Sequence, residues 1–174
     1  MSEPRASWMS SLGWTTASSA DEGLADLQGP VGEPRFRRRR RADRGGRWNH
    51  RGDRMVYTAD SLALAALETF VHVDPALVPD DLVAVSASIP DDASVVRLED
   101  ADLPRDWNRM PAPNEVKDLG SEWIRGRKSL LLVVSSAIIP VERCVLINPA
   151  HPEFARVEVH EPLPFTFDGR LWKS

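Results

Sequence analysis

Two stretches of the chain repeat their apolar residues at helical spacing, and several shorter ones alternate or run continuously apolar. Asp60 or Ser61 is suited to cap a first helix, rich in Ala and Leu, that runs through His72. Residues 113–125 read as a second helix: Pro113 stands near the first turn, Val116, Leu119 and Trp123 follow at helical spacing, and Gly126 is the expected stop. Strands are expected at 55–57, 82–89, 94–98 and 130–134, and alternation returns at 156–160. Residues 165–171 read as a closing strand or an extended tail. Short strands mixed with two helices, without regular strand–helix alternation or internal repeats, indicate an α+β fold. At 174 residues the chain is long enough for one compact domain and short for two.

Residues 1–44 lack this texture. Ser, Ala and Gly dominate up to Gly32, Trp8, Trp14 and Leu24 show no sustained period, and Arg37 to Arg41 form an unbroken arginine run. Adjacent like charges repel and favour a solvated backbone, so this segment is expected to be poorly ordered, with one weak helix at most over 21–27. The domain boundary is therefore expected near Gly45, giving a low-complexity segment over 1–44 and a folded domain over 45–174.

Charge supports that division. Residues 1–54 carry 11 Lys/Arg and 7 Asp/Glu, whereas the remainder carries 11 and 19, so the halves differ in sign. The single cysteine, Cys144, excludes an intrachain disulfide and a multi-cysteine zinc site. No apolar run approaches the ~20 residues that span a bilayer, and no basic segment followed by an apolar core marks a secretory signal. These features point to a cytoplasmic protein without a membrane partner. The arginine run has no interleaved aromatics or DNA-binding motif, so a solvated tail is preferred over direct nucleic-acid binding. His72 and His151 have no metal-like spacing, and neither a glycine-rich dinucleotide fingerprint nor a P-loop is present.

Several blocks stand in order: Gly45-Gly46-Arg47-Trp48-Asn49, Val56-Tyr57, and Ala63-Leu64-Ala65-Ala66-Leu67-Glu68. Residues 132–140 (LVVSSAIIP), 146–152 (LINPAHP) and 164–171 (PFTFDGRL) follow. From Gly45 to the C-terminus this series resembles the RES-domain family, named for an Arg, a Glu and a Ser. The resemblance implies a fold akin to ADP-ribosyltransferases and the toxin role in a toxin–antitoxin pair. It also implies an activity that depletes NAD⁺ by cleaving the nicotinamide–ribose bond, with NAD⁺ as substrate and no resident cofactor or metal. The implied partner is a helix-turn-helix antitoxin of the Xre type. The chain departs from the family upstream of Gly45: around Ala25 to Gln28 neither the first strand's aromatic–Arg pair nor the glycine-rich acidic connection is matched. A shifted reading frame and a truncated copy both account for this, and either leaves one substrate-binding arginine unassigned. Cys144-Val145 also replace the family's usual Asn-Tyr, a change expected to affect packing more than chemistry.

Each candidate has a chemical and a structural reading. A fixed carboxylate at Glu68 can stabilise the oxocarbenium-like ribose formed when the N-glycosidic bond breaks. By periodicity alone, Ser61, Ala65, Glu68 and His72 would instead form a solvated helix stripe; the resemblance favours catalysis. Arg47 offers a planar five-donor fork for the pyrophosphate or ribose, or else holds a loop through carbonyl bonds. Tyr57, the only tyrosine, can stack on nicotinamide or sit in the core with a satisfied hydroxyl. Ser136 can donate to the ribose or to Glu68, or simply form a turn. Trp48, Asn49 and Asn148 read as scaffold. The expectation is an NAD⁺ glycohydrolase or phosphorolase with catalytic Glu68 and substrate-binding Arg47, Tyr57 and Ser136. A protein ADP-ribosyltransferase and a non-catalytic copy that only binds its antitoxin are the alternatives. The acceptor and the oligomeric state, a homo-oligomer included, stay open.

Overall fold

The computed structural model describes residues 12–18, 45–74, 78 and 81–172, the first of these segments as backbone only. In chain order the elements are β1 (Leu12–Ser18), β2 (Val56–Ala59), α1 (Leu62–Phe70), β3 (Leu82–Ser88), β4 (Val95–Arg97) and α2 (Asn114–Gly126). They are followed by β5 (Leu131–Ser135), β6 (Arg143–Ile147), β7 (Glu158–Val159) and β8 (Leu163–Pro164). The strands form one sheet in the order β4-β5-β6-β2-β1-β3-β7, with β8 also pairing β3. Every pairing is antiparallel except β4 with β5. This is the expected α+β domain.

The two helices start and stop for local reasons. Ser61 caps α1, its hydroxyl accepting from the Leu64 N–H at 3.1 Å. Helix α2 begins after Pro113 and buries Val116, Gly120, Trp123 and Ile124, residues three and four apart on one face. Gly126, expected to end it, is the last helical residue; Arg127 takes the left-handed cap at φ 47°.

The sheet is covered on both faces around β5, which explains why its sequence is continuously apolar rather than alternating. Leu132 and Val134, with Leu146 of β6, face Trp48, Trp107, Val116, Trp123 and Ile124. Leu131, Val133, Val145 and Ile147 pack on the other side with Ala93 and Leu130. A smaller cluster of Ala59, Leu64 and Ala65, with Ile139 and Cys144, seats α1 on β2 and β6.

Three expectations are corrected. The segment read as lacking strand character contains β1, which pairs with β3 over seven residues and meets β2 at Trp14↔Ala59. Placed between β2 and β3, it closes two edges whose backbone groups would otherwise lack partners. The weak helix over 21–27, the unmatched positions 25–28 and the arginine run lie outside the described residues. At 156–160 only Glu158–Val159 is strand, preceded by a 3₁₀ turn over Pro152–Arg156. Residues 165–171 form no strand: the paired stretch is Leu163–Pro164, and a 3₁₀ turn covers Gly169–Trp172. Aromatic packing takes over there, with Phe167 edge-on to Phe70 at 5.4 Å and Trp172 4.5 Å from Phe70. One strand, β6, falls where the sequence reading set no element, because Arg143 and Cys144 break the apolar run. Among the described residues no helix is long and apolar enough to cross a membrane.

Candidate active site

Glu68 lies one turn beyond Leu64 and Ala65, the two buried residues of α1, and so projects from the helix's inward face. It is half-buried, and Ala65 is only 5 % exposed, so the solvated stripe considered from periodicity does not form. Its Oε1 accepts a 2.6 Å hydrogen bond from Ser136 Oγ, and Cys144 Sγ lies 3.5 Å from the same oxygen.

Ser136 is fully buried at the end of β5. Its hydroxyl accepts from the N–H groups of Ile138 and Ile139 at 3.1 and 3.0 Å, and its only proton goes to Glu68. Of the options open to this serine, donation to the ribose, donation to Glu68 or a turn, the structure shows it bonded within the turn and donating to Glu68. With both lone pairs and the proton engaged, it has no spare capacity.

The glycine-led loop is built differently. Tyr57 Oη donates to Asn49 Oδ1 at 2.6 Å and accepts from the Trp48 N–H at 3.0 Å. A side chain at Gly46 would collide with that hydroxyl, and one at Gly120 would strike the Trp48 carbonyl, so close approach requires glycine at both. Asn49 also donates to the Asp53 carbonyl at 2.7 Å. Trp48 is 3 % exposed and packs on Trp107 with ring centroids 5.8 Å apart. Asn148, 0 % exposed, donates to the Ile124 carbonyl and accepts from Ala150 N–H. These three residues are scaffold, as their sequence context indicated.

Arg47 reaches across to the 107–110 segment. Its Nη1 donates to the carbonyls of Trp107 and Arg109 at 2.9 and 3.0 Å, and Nη2 lies 3.1 Å from Met110 Sδ. Partial burial holds its pKa below the ordinary guanidinium value, against the opposing pull of Glu68 and Tyr57. Arg47 is thus within electrostatic reach of Glu68, though no ion pair joins them among the described residues.

The structure therefore brings Glu68 and Ser136 into contact and sets Arg47 on a separate loop that is bonded to the hydroxyl of Tyr57 on β2. Cys144 stands out in the sequence only as a change in packing, and nothing local marks its approach to Glu68, 76 residues away. The Trp107–Met110 partners of Arg47 were equally invisible at separations of 60 to 63 residues. Among the described residues no group of three or more His, Cys, Asp or Glu could hold a metal ion.

The fold is thus an α+β domain in which a carboxylate bonded by Ser136 lies within electrostatic reach of a half-buried arginine. The chain belongs to the RES-domain family: the RES domain model matches residues 24–168, beginning upstream of the expected boundary at Gly45. It is 38 % identical over 128 residues to a protein named Toxin Res from Yersinia enterocolitica, covering 73 % of this chain and 84 % of that one. It is 37 % identical over 129 residues to the Prs ADP-ribosylating toxin of a Sphingobium species, covering 73 % and 80 %. Toxin Res of Pseudomonas putida is 34 % identical over 131 residues, covering 73 % and 86 %. These relationships make the chain a Res-type toxin. Its fold is also similar to a chain of the crystal structure of the M. tuberculosis MbcT-MbcA toxin-antitoxin complex, with a TM-score of 0.62 at 13 % identity over 90 % of this chain and 84 % of that one.

Proposed function

We propose that the protein depletes NAD⁺ by breaking the bond between nicotinamide and ribose, with Glu68 as the catalytic carboxylate. The observation that carries this reading is the Ser136–Glu68 hydrogen bond, which holds one carboxylate oxygen and leaves the other without a partner among the described residues. As the C1′–N bond breaks, nicotinamide departs with the bonding pair and the ribose takes up the positive charge. A preorganised anion lowers the energy of that cation without reorganising at the moment of reaction. NAD⁺ is thus substrate, and the residues require no bound cofactor to perform this step.

Arg47 supplies the positive charge that recognises the pyrophosphate or ribose, in competition with the carbonyls it now binds. The hydroxyl of Tyr57 is engaged within the loop, so its contribution is the ring face against nicotinamide. Ser136 acts on substrate through Glu68. A second reading, transfer of ADP-ribose to a protein, draws support from the relative named an ADP-ribosylating toxin. It shares bond cleavage and differs in the nucleophile that captures the cation.

The partner in this account is an antitoxin of the helix-turn-helix, Xre type that covers the site. The similarity to a chain solved in a toxin–antitoxin complex supports such a partner. Both proteins would act in the cytoplasm, where NAD⁺ is available. Expression without an antitoxin should lower cellular NAD⁺ and arrest growth, measured by an enzymatic-cycling assay alongside culture density. Arrest at unchanged NAD⁺ would remove NAD⁺ depletion in favour of protein modification. Normal growth with tight antitoxin binding would mark a non-catalytic copy.

A further inference from the structure

The two oxygens of Glu68 stand in different surroundings. Oε1 is approached from β5 by Ser136 Oγ at 2.6 Å and from β6 by Cys144 Sγ at 3.5 Å. Oε2 has no hydrogen-bond partner among the described residues. Cys144 does not reach Glu68 from a mobile element: it lies in β6, in register with Ala59 on one side and Val134 on the other. Its side chain packs against both the α1 cluster and the α2 cluster.

We infer that Cys144 is a positioning residue for Glu68, its protonated thiol donating a second bond to Oε1 so that Oε2 is fixed toward the reacting ribose. This rests on the NAD⁺-cleaving reading of the site. One hydroxyl donor restrains an oxygen along one direction. A second donor from a neighbouring strand opposes rotation of the carboxylate about its terminal bond, because that rotation would break both contacts together. The thiol must keep its proton to donate, and its surroundings keep it there. Burial and the facing carboxylates, Glu68 first and then Asp60, push its pKa far above the ordinary value. Low reactivity and a positioning role thus follow from the same contact.

Two substitutions separate donor from filler. Cys144→Ser retains a donor and loses volume, whereas Cys144→Val fills the site with slightly more volume and suits a strand but cannot donate. A thiol is a weak donor, so its loss should lower kcat about 3- to 10-fold, as for one modest hydrogen bond. In Cys144→Val this fall should occur with KM within about twofold, while Cys144→Ser stays within about twofold of the parent in both. Full activity in Cys144→Val, or loss in Cys144→Ser alone, would overturn the inference in favour of packing. A second readout needs no turnover. Cys144 is the only cysteine, so its iodoacetamide alkylation in the folded full-length protein reports this thiol alone. Glu68→Gln should speed alkylation several-fold at mildly alkaline pH with an unchanged thermal midpoint, because the carboxylate no longer opposes the thiolate. An unchanged rate would sink the Cys144–Glu68 contact. If the parent protein cleaves no NAD⁺, the functional reading fails separately, and alkylation still decides whether the contact exists.

Discussion

Two polar clusters adjoin in this molecule, and they differ in what is left over. Around the glycine-led loop, Tyr57 Oη on β2 and Asn49 Oδ1 bind one another and the Arg47 guanidinium binds the 107–110 segment. At Glu68 the bonds from the described residues converge on Oε1, and Ser136 is saturated in providing one of them. The first cluster uses its polar groups to hold a shape; in the proposed reading the second uses them to aim one carboxylate oxygen. Fully satisfied polar networks rigidify a fold. A half-buried carboxylate with one oxygen unpartnered among the described residues is what the proposed substrate-facing role requires.

The largest test of this contrast is Glu68→Gln. Gln keeps the size and accepts from Ser136 but removes the charge, so NAD⁺ cleavage should fall about 10²–10³-fold, roughly 3–4 kcal/mol in barrier. The thermal midpoint should hardly move. Glu122→Gln, on the exposed side of α2, should alter neither. Initial rates of nicotinamide release and a thermal melt measure both. Near-normal turnover in a folded Glu68→Gln protein would make the two clusters alike.

Tyr57→Phe should show the reverse pattern. It leaves Asn49 Oδ1 and the Trp48 N–H without their partner, and should cost about 1–3 kcal/mol of stability. The ring survives, so kcat should stay within a few-fold. Chemical denaturation beside steady-state rates would separate these effects; a loss of rate at full stability would place the Tyr57 hydroxyl in the chemistry.

The sequence disclosed the frame better than it disclosed this contrast. Ser61, Pro113 and the spacing of Val116 and Trp123 located both helices because caps and periodicity are local signals. Strand β1 was missed: a strand whose backbone is wanted by two neighbours forms without a strong pattern of its own. Residues 165–171 were misread because Phe165 and Phe167 stack on other rings instead of extending the sheet. Glu68 and Ser136 stand out as candidates through the family's blocks and through their chemistry. Their contact, across 68 residues, is one of three options the sequence leaves open to Ser136. The loop-holding bonds of Arg47 and the approach of Cys144 depend on how distant elements pack, which no local pattern records.

A smaller effect concerns pH. The folded Cys144 thiol ionises far above its ordinary value near 9.0, whereas the unfolded thiol ionises near it. Above that pH the unfolded chain binds fewer protons than the folded one, so stability should fall with rising pH. The slope from this group approaches about 1.4 kcal/mol per pH unit. Below pH 9 it contributes no slope. Urea midpoints from pH 8 to 10 should therefore decline more steeply for the parent than for Cys144→Ser. Equal slopes would mean that Cys144 is solvated like an ordinary thiol, and that its side of the Glu68 cluster is open.

The most direct test of the central claim is a crystal structure of the protein with a non-hydrolysable NAD⁺ analogue. The account predicts that C1′ of the nicotinamide ribose lies about 3.5 Å from Glu68 Oε2, with Ser136 still bound to Oε1. An analogue bound with C1′ out of reach of Glu68, or a Glu68 turned so that Oε2 bonds to protein, would contradict it.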